Sequence, residues 1–352
     1  MEKGPNLLQL LPDIILRFRK ENIGFVSDIR KAFQMIEISE RDRDFLRFLW
    51  WEDFTEKKLK AYRHRRVVFG VNCSPFLLGS VIEVHLSQVP EEDRHIANML
   101  LESFYVDNCV ASVDSLEEYE NFKDQTTRIM SEAGMELRQW ASTVVGISDC
   151  NKMRNDNCVD AEQLIIPVLG LRWDRLQDSL FCDISASPVD IEMVTKRTVL
   201  SAISRIFDLI GFTVPALLPP KSLLQESWAA KLTWEEESHD EGKTKFIKWY
   251  TELNQLNLIR IPRHMKMGLG TQSCLQLHGF SDASQDAYAA VIFLRASNNQ
   301  SVSMQLLLAK SRVAPLKWPT IPRLELLGCV IAVRLMRQVK DALNLSDVPT
   351  SF

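Results

Sequence analysis

The stretch ESFYVDNCVASV, residues 102–113, joins two apolar runs through the polar pair Asp107 and Asn108. Aromatic and β-branched residues dominate both runs, which is typical of β-strands, and Asp and Asn favour a tight turn between them. The segment therefore predicts a β-hairpin with Asp107 at its tip. It also raises a question, because an amide follows this carboxylate where a second carboxylate would bind cations better.

Another aspartate stands at the end of an apolar strand earlier in the chain. The stretch IGFVSDIRKAF, residues 23–33, starts as a strand and reaches Asp28 near the strand's end. Two carboxylates on adjacent strands suit a two-metal phosphoryl-transfer site, because Mg²⁺ prefers carboxylate oxygens and keeps positions for substrate phosphates. The spacing alone also fits a structural role, since Asp stabilises turns through bonds to its own backbone.

Composition places the chain among ordinary globular proteins. Its 352 residues are 46% hydrophobic, which is enough to build two or three domains. The formal net charge of −4 gives no general attraction to nucleic acid or anionic membranes, so a polyanion site would need a local basic cluster. The seven cysteines are scattered and lack CxxC spacing, which argues against a disulfide framework or a zinc site.

Export and membrane signals are not recognisable in the sequence. The start lacks the basic leader, apolar core and cleavage site of a signal peptide, and no apolar run is long enough for a transmembrane helix. We therefore expect an intracellular protein of the cytoplasm or nucleus that does not bind membranes. The sequence does not indicate an oligomeric state.

Hydrophobic periodicity predicts a mixture of helices and strands. The predicted helices are 7–19, 38–48, 75–86 (buried), 115–133, two patterns within 195–234 separated by a Pro-rich connector, and 321–343. The predicted strands are 23–28, a hairpin of 48–54 with 65–71, the hairpin 102–113, a hairpin in 168–184, and three consecutive runs, 275–284, 287–296 and 303–313. Residues 148–163 are polar and predict a loop. Ser115 is the expected cap of its helix, and Gly134 is its expected end.

Several short blocks stand in a fixed order along the chain. SDIRKAF and FGVNCSPFLL come before YVDN, GMELRQW and VLGLRW, and then follow TKRTVLSAISRIFDLIGF, LHGFSDASQDAYAAVIFLR and AKSRVAPLKWPTIPRLELLG. The ordered set resembles the palm of a reverse transcriptase, and the amino-acid sequence of the blocks together is most similar to the pol polyprotein of Bel/Pao-type LTR retrotransposons. The resemblance runs from residue 4 to the end of the chain.

The resemblance implies an α+β fold with three parts. They are a reverse-transcriptase-like palm with most of the fingers missing (1–175), a helical thumb or connection region (176–270), and a C-terminally truncated ribonuclease H-like α/β domain (271–352). It further implies an RNA/DNA template-primer and deoxynucleoside triphosphates as partners, and Mg²⁺ as cofactor.

Five residues of the palm acquire expected roles from the resemblance. Asp28 matches the family's first metal-binding aspartate, and Asp107 matches the first of the paired aspartates in its polymerase turn. Phe33 matches a bulky side chain beneath the incoming sugar, where its shape would reject a 2′-hydroxyl. Core packing is the alternative for Phe33. Ser74 and Pro75 match a block near the template and nucleotide.

A basic segment, 57–66, is the local cluster that could attract a polyanion. Its cations would contact template phosphates while Tyr62 stacks on a base; an ordinary solvated surface is the alternative. The cations are Lys57, Lys58, Lys60, Arg63, Arg65 and Arg66.

A second pair of carboxylates stands in the last region. Asp282, on a predicted strand, and Glu325, near the start of a predicted helix, resemble the first two carboxylates of a ribonuclease H site, which also uses two Mg²⁺ ions. Glu325 lies in an apolar helical pattern, where a carboxylate should not be buried without a partner. A structural ion pair of Glu325 with Arg323 or Arg295 is the alternative.

Two residues depart from the family's pattern. Asn108 stands where a second metal-binding aspartate is expected; an amide keeps one carbonyl ligand but removes a negative charge. Gln139 stands where relatives commonly carry a lysine, so one cation near the triphosphate is missing. Because the fingers and the third ribonuclease H aspartate are also expected outside the chain, we expect an ancestral RNA-directed DNA polymerase and ribonuclease H with little or no remaining activity.

The sequence leaves two alternatives to an impaired polymerase. A domesticated, non-enzymatic protein that binds nucleic acid or protein would keep the same fold. A peptidase is a third possibility, because this family is often labelled as a Pao peptidase. The sequence contains no DTG or DSG loop, which an aspartic protease requires, and the GKT at 242–244 lacks the upstream glycine of a phosphate loop.

Overall fold

The computed structural model describes residues 3–55, 57–144, 164–184, 191–265, 274–317 and 320–352. The predicted loop 148–163 lies outside these ranges. The chain forms two compact units, one built from residues 1–14 and 25–142 and the other from 15–24 and 143–352. The division into three domains at residues 175 and 270 stays a prediction.

Helices and strands alternate along both units, which confirms the predicted α+β class. The α-helices are α1 (Leu11–Phe18), α2 (Ala32–Met35), α3 (Ser74–Ser87), α4 (Arg94–Ser103), α5 (Leu116–Glu132), α6 (Lys196–Ser204), α7 (Val214–Ala229), α8 (Asp240–Glu252) and α9 (Ile321–Leu343). Short 3-10 helices cover Leu7–Leu10, Glu40–Leu46, Glu91–Asp93 and Leu253–Leu258. None of the helices in the described ranges is long and apolar enough to cross a membrane.

The strands form three four-stranded sheets and one two-stranded ribbon within the described residues. The strands are β1 (Ile23–Ile29), β2 (Arg47–Asp53), β3 (Lys58–Arg63), β4 (Phe104–Tyr105), β5 (Asn108–Val113), β6 (Leu137–Ser142), β7 (Ile165–Val168), β8 (Leu171–Asp174), β9 (Ser179–Phe181), β10 (Ile261–Pro262), β11 (Cys274–Ala283), β12 (Ala287–Ser297), β13 (Val302–Val313) and β14 (Thr350–Ser351).

The sheet of the first unit has the strand order β4-β5-β1-β6. Helix α5 covers it through an aromatic cluster, in which the Phe25 ring lies 5.0 Å from Phe122 and 5.1 Å from Tyr119. The predicted cap is confirmed, because the Ser115 hydroxyl accepts the Glu118 amide at 3.2 Å. The helix ends before Gly134, whose φ of 69° is the left-handed conformation expected of a helix-ending glycine.

The second unit contains two sheets. One has the order β10-β9-β8-β7, and the other has the order β13-β12-β11-β14. Strands β11, β12 and β13 are antiparallel neighbours, and β14 lies parallel to β11. The buried residues Leu277, Ile292 and Leu324 belong to one core that joins this sheet to α9. The three predicted strand runs and the long C-terminal helix are thereby confirmed.

The ribbon β2–β3 differs from the predicted hairpin. The strand that pairs with β2 is the basic segment itself and not 65–71. Lys58 and Lys60 alternate with Leu59 and Ala61, so the segment has the period-two pattern of a strand, and Glu52 lies across from the lysines. The lysines thus lie beside an opposite charge on β2, which offsets their mutual repulsion.

Helix α7 runs through the stretch that was predicted to be a connector. Pro219 and Pro220 both lie inside it. Pro220 has no N–H for the carbonyl of Ala216, one turn back, which would leave that oxygen unpaired. The indole Nε1 of Trp249 donates to this carbonyl at 2.6 Å. A side chain from α8 thus replaces the hydrogen bond that proline removes.

Two further differences concern the helices of the first unit. Helix α3 is formed as predicted, but only one stripe of it is buried, through Leu78, Ile82 and Leu86, and the other face is largely exposed. Helix α4, with its buried Ile96 and Leu100, was not predicted at all.

A buried arginine holds the segment that leads into β1. Arg263 is fully buried, and its Nη1 donates to the carbonyls of Phe18 and Glu21, at 2.8 Å each. Its Nε donates to Asp178 at 2.6 Å, so the buried charge is paired. Removing one partner of such a pair leaves an uncompensated charge, which costs about 3–5 kcal/mol. The guanidinium therefore fixes the chain immediately ahead of the strand that carries Asp28.

One glycine allows a loop of the second unit to touch the sheet. Gly211 has φ 95°, and a β-carbon there would overlap the carbonyl oxygen of Ala309 on β13. The loop is fixed by the Ala309 amide, which donates to the Ile210 carbonyl at 2.7 Å. The Asp208 carboxylate also accepts the amides of Gly211 and Thr213.

We expect Gly211→Ala to lower the free energy of unfolding by about 2–4 kcal/mol, since the new methyl meets backbone that cannot move aside. Gly79→Ala is the matched control, because Gly79 lies in α3 with open space around it. That variant should be neutral or more stable by up to about 1 kcal/mol. Urea unfolding measures both; equal stability of the two variants would contradict the assignment.

Candidate functional site

The predicted carboxylates of the first unit meet at one place. Asp28 lies near the end of β1, and Asp107 lies in the two-residue turn that joins β4 to β5, the strand next to β1. The Ile29 amide donates to the Asp107 carbonyl at 2.9 Å, which ties the turn to β1. Val106 has φ 58°, a strained conformation for a β-branched residue, and it completes the turn that places Asp107 beside Asp28.

Asp107 carries a raised pKa. Burial is the main cause, and the nearby negative charge of Asp28 raises it further, while a backbone hydrogen bond acts in the opposite direction. The Asn108 side chain donates from Nδ2 to Asp107 Oδ1 at 2.9 Å. Asn108 thus does two things that an aspartate could not do: it adds no charge, and it donates a hydrogen bond to its neighbour.

Asp28 is held by an arginine that the sequence-based predictions did not include. Arg138 on β6 donates from Nε to Asp28 Oδ1 and from Nη2 to Oδ2, both at 3.2 Å. The Asp28 side chain is 26% exposed and that of Arg138 44% exposed. Arg138 belongs to the GMELRQW block, directly before Gln139, but the sequence gives no sign that it faces Asp28.

The oxygen atoms gathered here suit a hard divalent cation. Asp28 and Asp107 supply carboxylates and Asn108 supplies an amide, which are the donors that Mg²⁺ prefers. The guanidinium of Arg138 already forms an ion pair with Asp28. Within the described ranges, no group of three or more His, Cys, Asp or Glu side chains is arranged to hold a metal ion. Two carboxylates and one amide are thus the oxygen donors that a cation would meet here, and its binding stays a prediction.

The residues predicted to contact the nucleotide have clear places in the fold. Phe33 is buried, and its ring packs edge-on against Phe69 at 5.0 Å. Ser74 is buried and donates its hydroxyl to the Val68 carbonyl at 2.8 Å. Pro75 stands in the first turn of α3. All three contribute to packing or to the start of a helix, and their contact with a nucleotide stays a prediction.

The basic strand β3 is exposed, but its charges are partly balanced. Glu52 pairs with both Lys60, at 2.7 Å, and Lys58, at 3.0 Å, which lowers its pKa. On the same face, Phe48 stacks on Tyr62 with ring centroids 5.8 Å apart, and Lys60 lies over the Tyr62 ring. The ribbon thus presents stacked aromatic rings bordered by cations.

The second predicted pair, Asp282 and Glu325, is placed on β11 and α9. Ser281 is the strand residue that faces α9, with its hydroxyl 3.5 Å from the Cys329 sulfur. Because successive strand residues point to opposite faces, the Asp282 side chain leaves the other face of β11, and it accepts the Ala283 amide at 2.8 Å. No contact between Asp282 and Glu325 is seen among the described residues.

Glu325 is not buried in the apolar face of its helix, so the expectation based on its burial is wrong. The side chain is exposed, and Leu324 and Gly328 are the residues that α9 buries here. The proposed structural partner Arg295 bonds instead to Gln276, at 3.3 Å, and to Ser297, at 2.9 Å. Water solvates the Glu325 carboxylate, so this charge needs no partner within the protein.

The C-terminal part of the chain is similar to a known protein family. Residues 195–351 match the family model of the Pao retrotransposon-like RNaseH-like domain. The resemblance to Bel/Pao-type pol polyproteins is confirmed over this part of the chain. The matched residues include helices α6–α9 and strands β10–β14. No curated protein matches the chain in sequence.

Solved structures show the fold of the whole chain. A foamy viral protease-reverse transcriptase in complex with an RNA/DNA hybrid is similar, with a TM-score of 0.56 at 15% identity over 94% of this chain and 39% of that one. Its dRH form with double-stranded DNA gives a TM-score of 0.57 at 15% identity over 97% and 51%. A further complex with double-stranded DNA gives 0.54 at 16% identity over 97% and 61%. The chain thus spans about two fifths to three fifths of the length of the solved chains that it matches.

We expect Asp107→Asn to stabilise the fold at pH 7 in the presence of EDTA. The folded pKa of Asp107 lies above its unfolded value, so wild-type stability falls as the pH rises through these values. An asparagine has no charge to bury, so its advantage should be full at pH 7 and should vanish at pH 3.

Urea unfolding at both pH values measures this difference. Asp124→Asn on α5 is the matched control, because it makes the same substitution at an exposed carboxylate. An Asp107→Asn variant that is less stable than wild type at pH 7 would rule out the proposed cause.

Proposed function

We propose that the chain derives from a retroelement polymerase with RNA-directed DNA polymerase and ribonuclease H activities, and that its polymerase site is impaired. The observation that carries this proposal is the meeting of Asp28 and Asp107 on neighbouring strands, where a palm would hold its cations. The Pao RNaseH-like match and the reverse-transcriptase fold support the same origin.

The residues of the first unit would divide the work of nucleotide transfer. Asp28 and Asp107 would hold Mg²⁺, which stabilises the charge that develops on the attacking and leaving oxygens. Phe33 would limit the space beneath the sugar and so favour deoxynucleotides, and Ser74 with Pro75 would border the template and nucleotide. In the second unit, Asp282 and Glu325 would serve the ribonuclease H reaction.

Impairment follows from the charge of the site. A palm with three acidic ligands offers three negative charges to two dications, whereas here Asn108 supplies none. The guanidinium of Arg138 offsets the charge of Asp28 as well. A site with so little negative charge should hold two Mg²⁺ ions weakly, since Mg²⁺ affinity depends on carboxylate ligands.

A second function, nucleic-acid binding without catalysis, is favoured by the ribbon β2–β3. Its exposed aromatic residues include Trp50, at 57% exposure, and Phe54, at 67%. Stacked rings beside lysines form the kind of platform that binds single-stranded nucleic acid, with about 1–3 kcal/mol for each stacked base. Selection for nucleic-acid binding would preserve the fold even if the cation site were lost.

Primer extension on an RNA template, with Mg²⁺ and then Mn²⁺, tests the polymerase proposal. We expect Asn108→Asp to exceed the wild type by at least about tenfold, because the added carboxylate strengthens cation binding. Asp28→Asn in the same background should abolish extension.

The outcomes separate the two functions. A wild type that extends as well as Asn108→Asp would show that Asn108 is a competent ligand, which contradicts the proposed impairment. Hybrid binding by both proteins without extension by either would favour the binding function.

The ribbon should contribute to nucleic-acid affinity through its lysines. We expect Lys60→Gln to weaken binding of an RNA/DNA hybrid and to reduce the slope of log K against log salt by about one. Glu52→Gln should have the opposite effect, with several-fold tighter binding, because it releases both lysines from their shared carboxylate.

Fluorescence anisotropy at several salt concentrations measures both variants of the ribbon. Lys245→Gln is the control, because this lysine also pairs with a glutamate, Glu241, but lies on α8. If all three variants bind alike, the ribbon is not part of the nucleic-acid surface.

A further inference from the structure

We infer that Arg138 is a built-in counter-ion that competes with a divalent cation for the carboxylate of Asp28. The inference rests on the proposed function, because it takes Asp28 and Asp107 as the cation ligands. It goes beyond that function by naming a residue that sets the affinity of the site. Arg138 acts here as a positioning residue, since it touches Asp28 and not a substrate.

A bulge in β6 is what brings Arg138 to Asp28. Val26 pairs with Ala141, so regular pairing would place Gln139 opposite Asp28 two residues further on. The observed partner of Asp28 is Arg138 instead, because β6 contributes one extra residue between the two pairs. Gln139 has φ 54°, the left-handed conformation that absorbs this extra residue. The bulge therefore exchanges an amide for a guanidinium beside Asp28.

The geometry of the pair leaves little of Asp28 for a metal ion. Both carboxylate oxygens accept a bond from the fork of Arg138, each at 3.2 Å. A dication that binds the remaining lone pairs of Asp28 would lie close to the guanidinium charge, so its binding is weakened unless the arginine moves away. The side chain of Arg138 is 44% exposed, so it has solvent on one side into which it can turn.

A neighbouring arginine, Arg30, provides a control for the effect of the Arg138 charge on cation binding. Arg30 is the other arginine near the end of β1, and its Nη1 bonds to Glu136 at 3.0 Å. Its backbone amide also donates to the Glu136 carbonyl. Arg30 therefore has a partner of its own and does not compete for Asp28. Replacing it removes the same charge from the same region but leaves the Asp28 pair intact.

A titration of the full chain with Mn²⁺, followed by electron paramagnetic resonance, tests the inference without any need for activity. We expect Arg138→Gln to bind Mn²⁺ about tenfold more tightly than wild type, because a unit charge a few ångströms from the ion is removed. Arg30→Gln should stay within about twofold of wild type. Asp28→Asn, the site control, should weaken binding in the wild-type and Arg138→Gln backgrounds.

A second variant protects the test against misfolding, which thermal unfolding would detect. Arg138→Lys keeps the charge but cannot bind both oxygens as a fork, so we expect Mn²⁺ affinity between those of wild type and Arg138→Gln. Equal affinity of wild type, Arg138→Gln and Arg138→Lys, with Asp28→Asn still weaker, would overturn the role of Arg138 and leave the proposed site standing. No effect of Asp28→Asn in any background would overturn the proposed site, and the inference with it.

Discussion

The cost of holding two carboxylates at one place in the sheet is the constraint on which the candidate site of the first unit depends. The β4–β5 turn brings Asp107 beside Asp28; burial is the main cause of the raised pKa of Asp107, and the charge of Asp28 raises it further. A neighbouring side chain forms hydrogen bonds with each carboxylate. Arg138 binds Asp28, and Asn108 donates to Asp107. The question raised by the amide after Asp107 thus has a physical answer, because a second carboxylate there would add a third charge to the pair.

The same groups explain why fold and activity can separate. Each carboxylate of the site has a hydrogen-bond partner within the protein, so we expect the fold to form without a dication. Such a site also has less to offer a dication, since one carboxylate is already paired. The fold of the second unit depends on unrelated contacts, such as the close approach of Gly211 to β13 and the joint core of α9 and its sheet. Loss of catalysis would therefore leave both units intact.

Local patterns in the sequence predicted those parts of the fold that local forces determine. The hairpin around Asp107, the Ser115 cap and the three strands before α9 all follow from residue types and their spacing. Helix α7 could not be predicted in the same way, because the Ala216 carbonyl left without a partner by Pro220 is bonded by Trp249, a residue 33 positions from Ala216. The exposed position of Glu325 depends on which face α9 buries, and Leu324 and Gly328 decide that face.

The candidate site shows the same division. Ordered blocks were enough to select Asp28 and Asp107, and the sheet order brings them together. Arg138 was missed because 137–142 was not among the predicted strands, and nothing in the sequence marks the bulge or the left-handed Gln139. The one-residue shift of register places Arg138, and not Gln139, opposite Asp28.

A crystal of the chain soaked in saturating Mn²⁺, with anomalous scattering recorded at the manganese edge, would show whether a cation displaces Arg138 from Asp28. We expect a manganese peak between the carboxylates of Asp28 and Asp107, with the Arg138 side chain turned away from Asp28. An Arg138 that still binds both oxygens of Asp28, with no manganese at either carboxylate, would contradict this expectation.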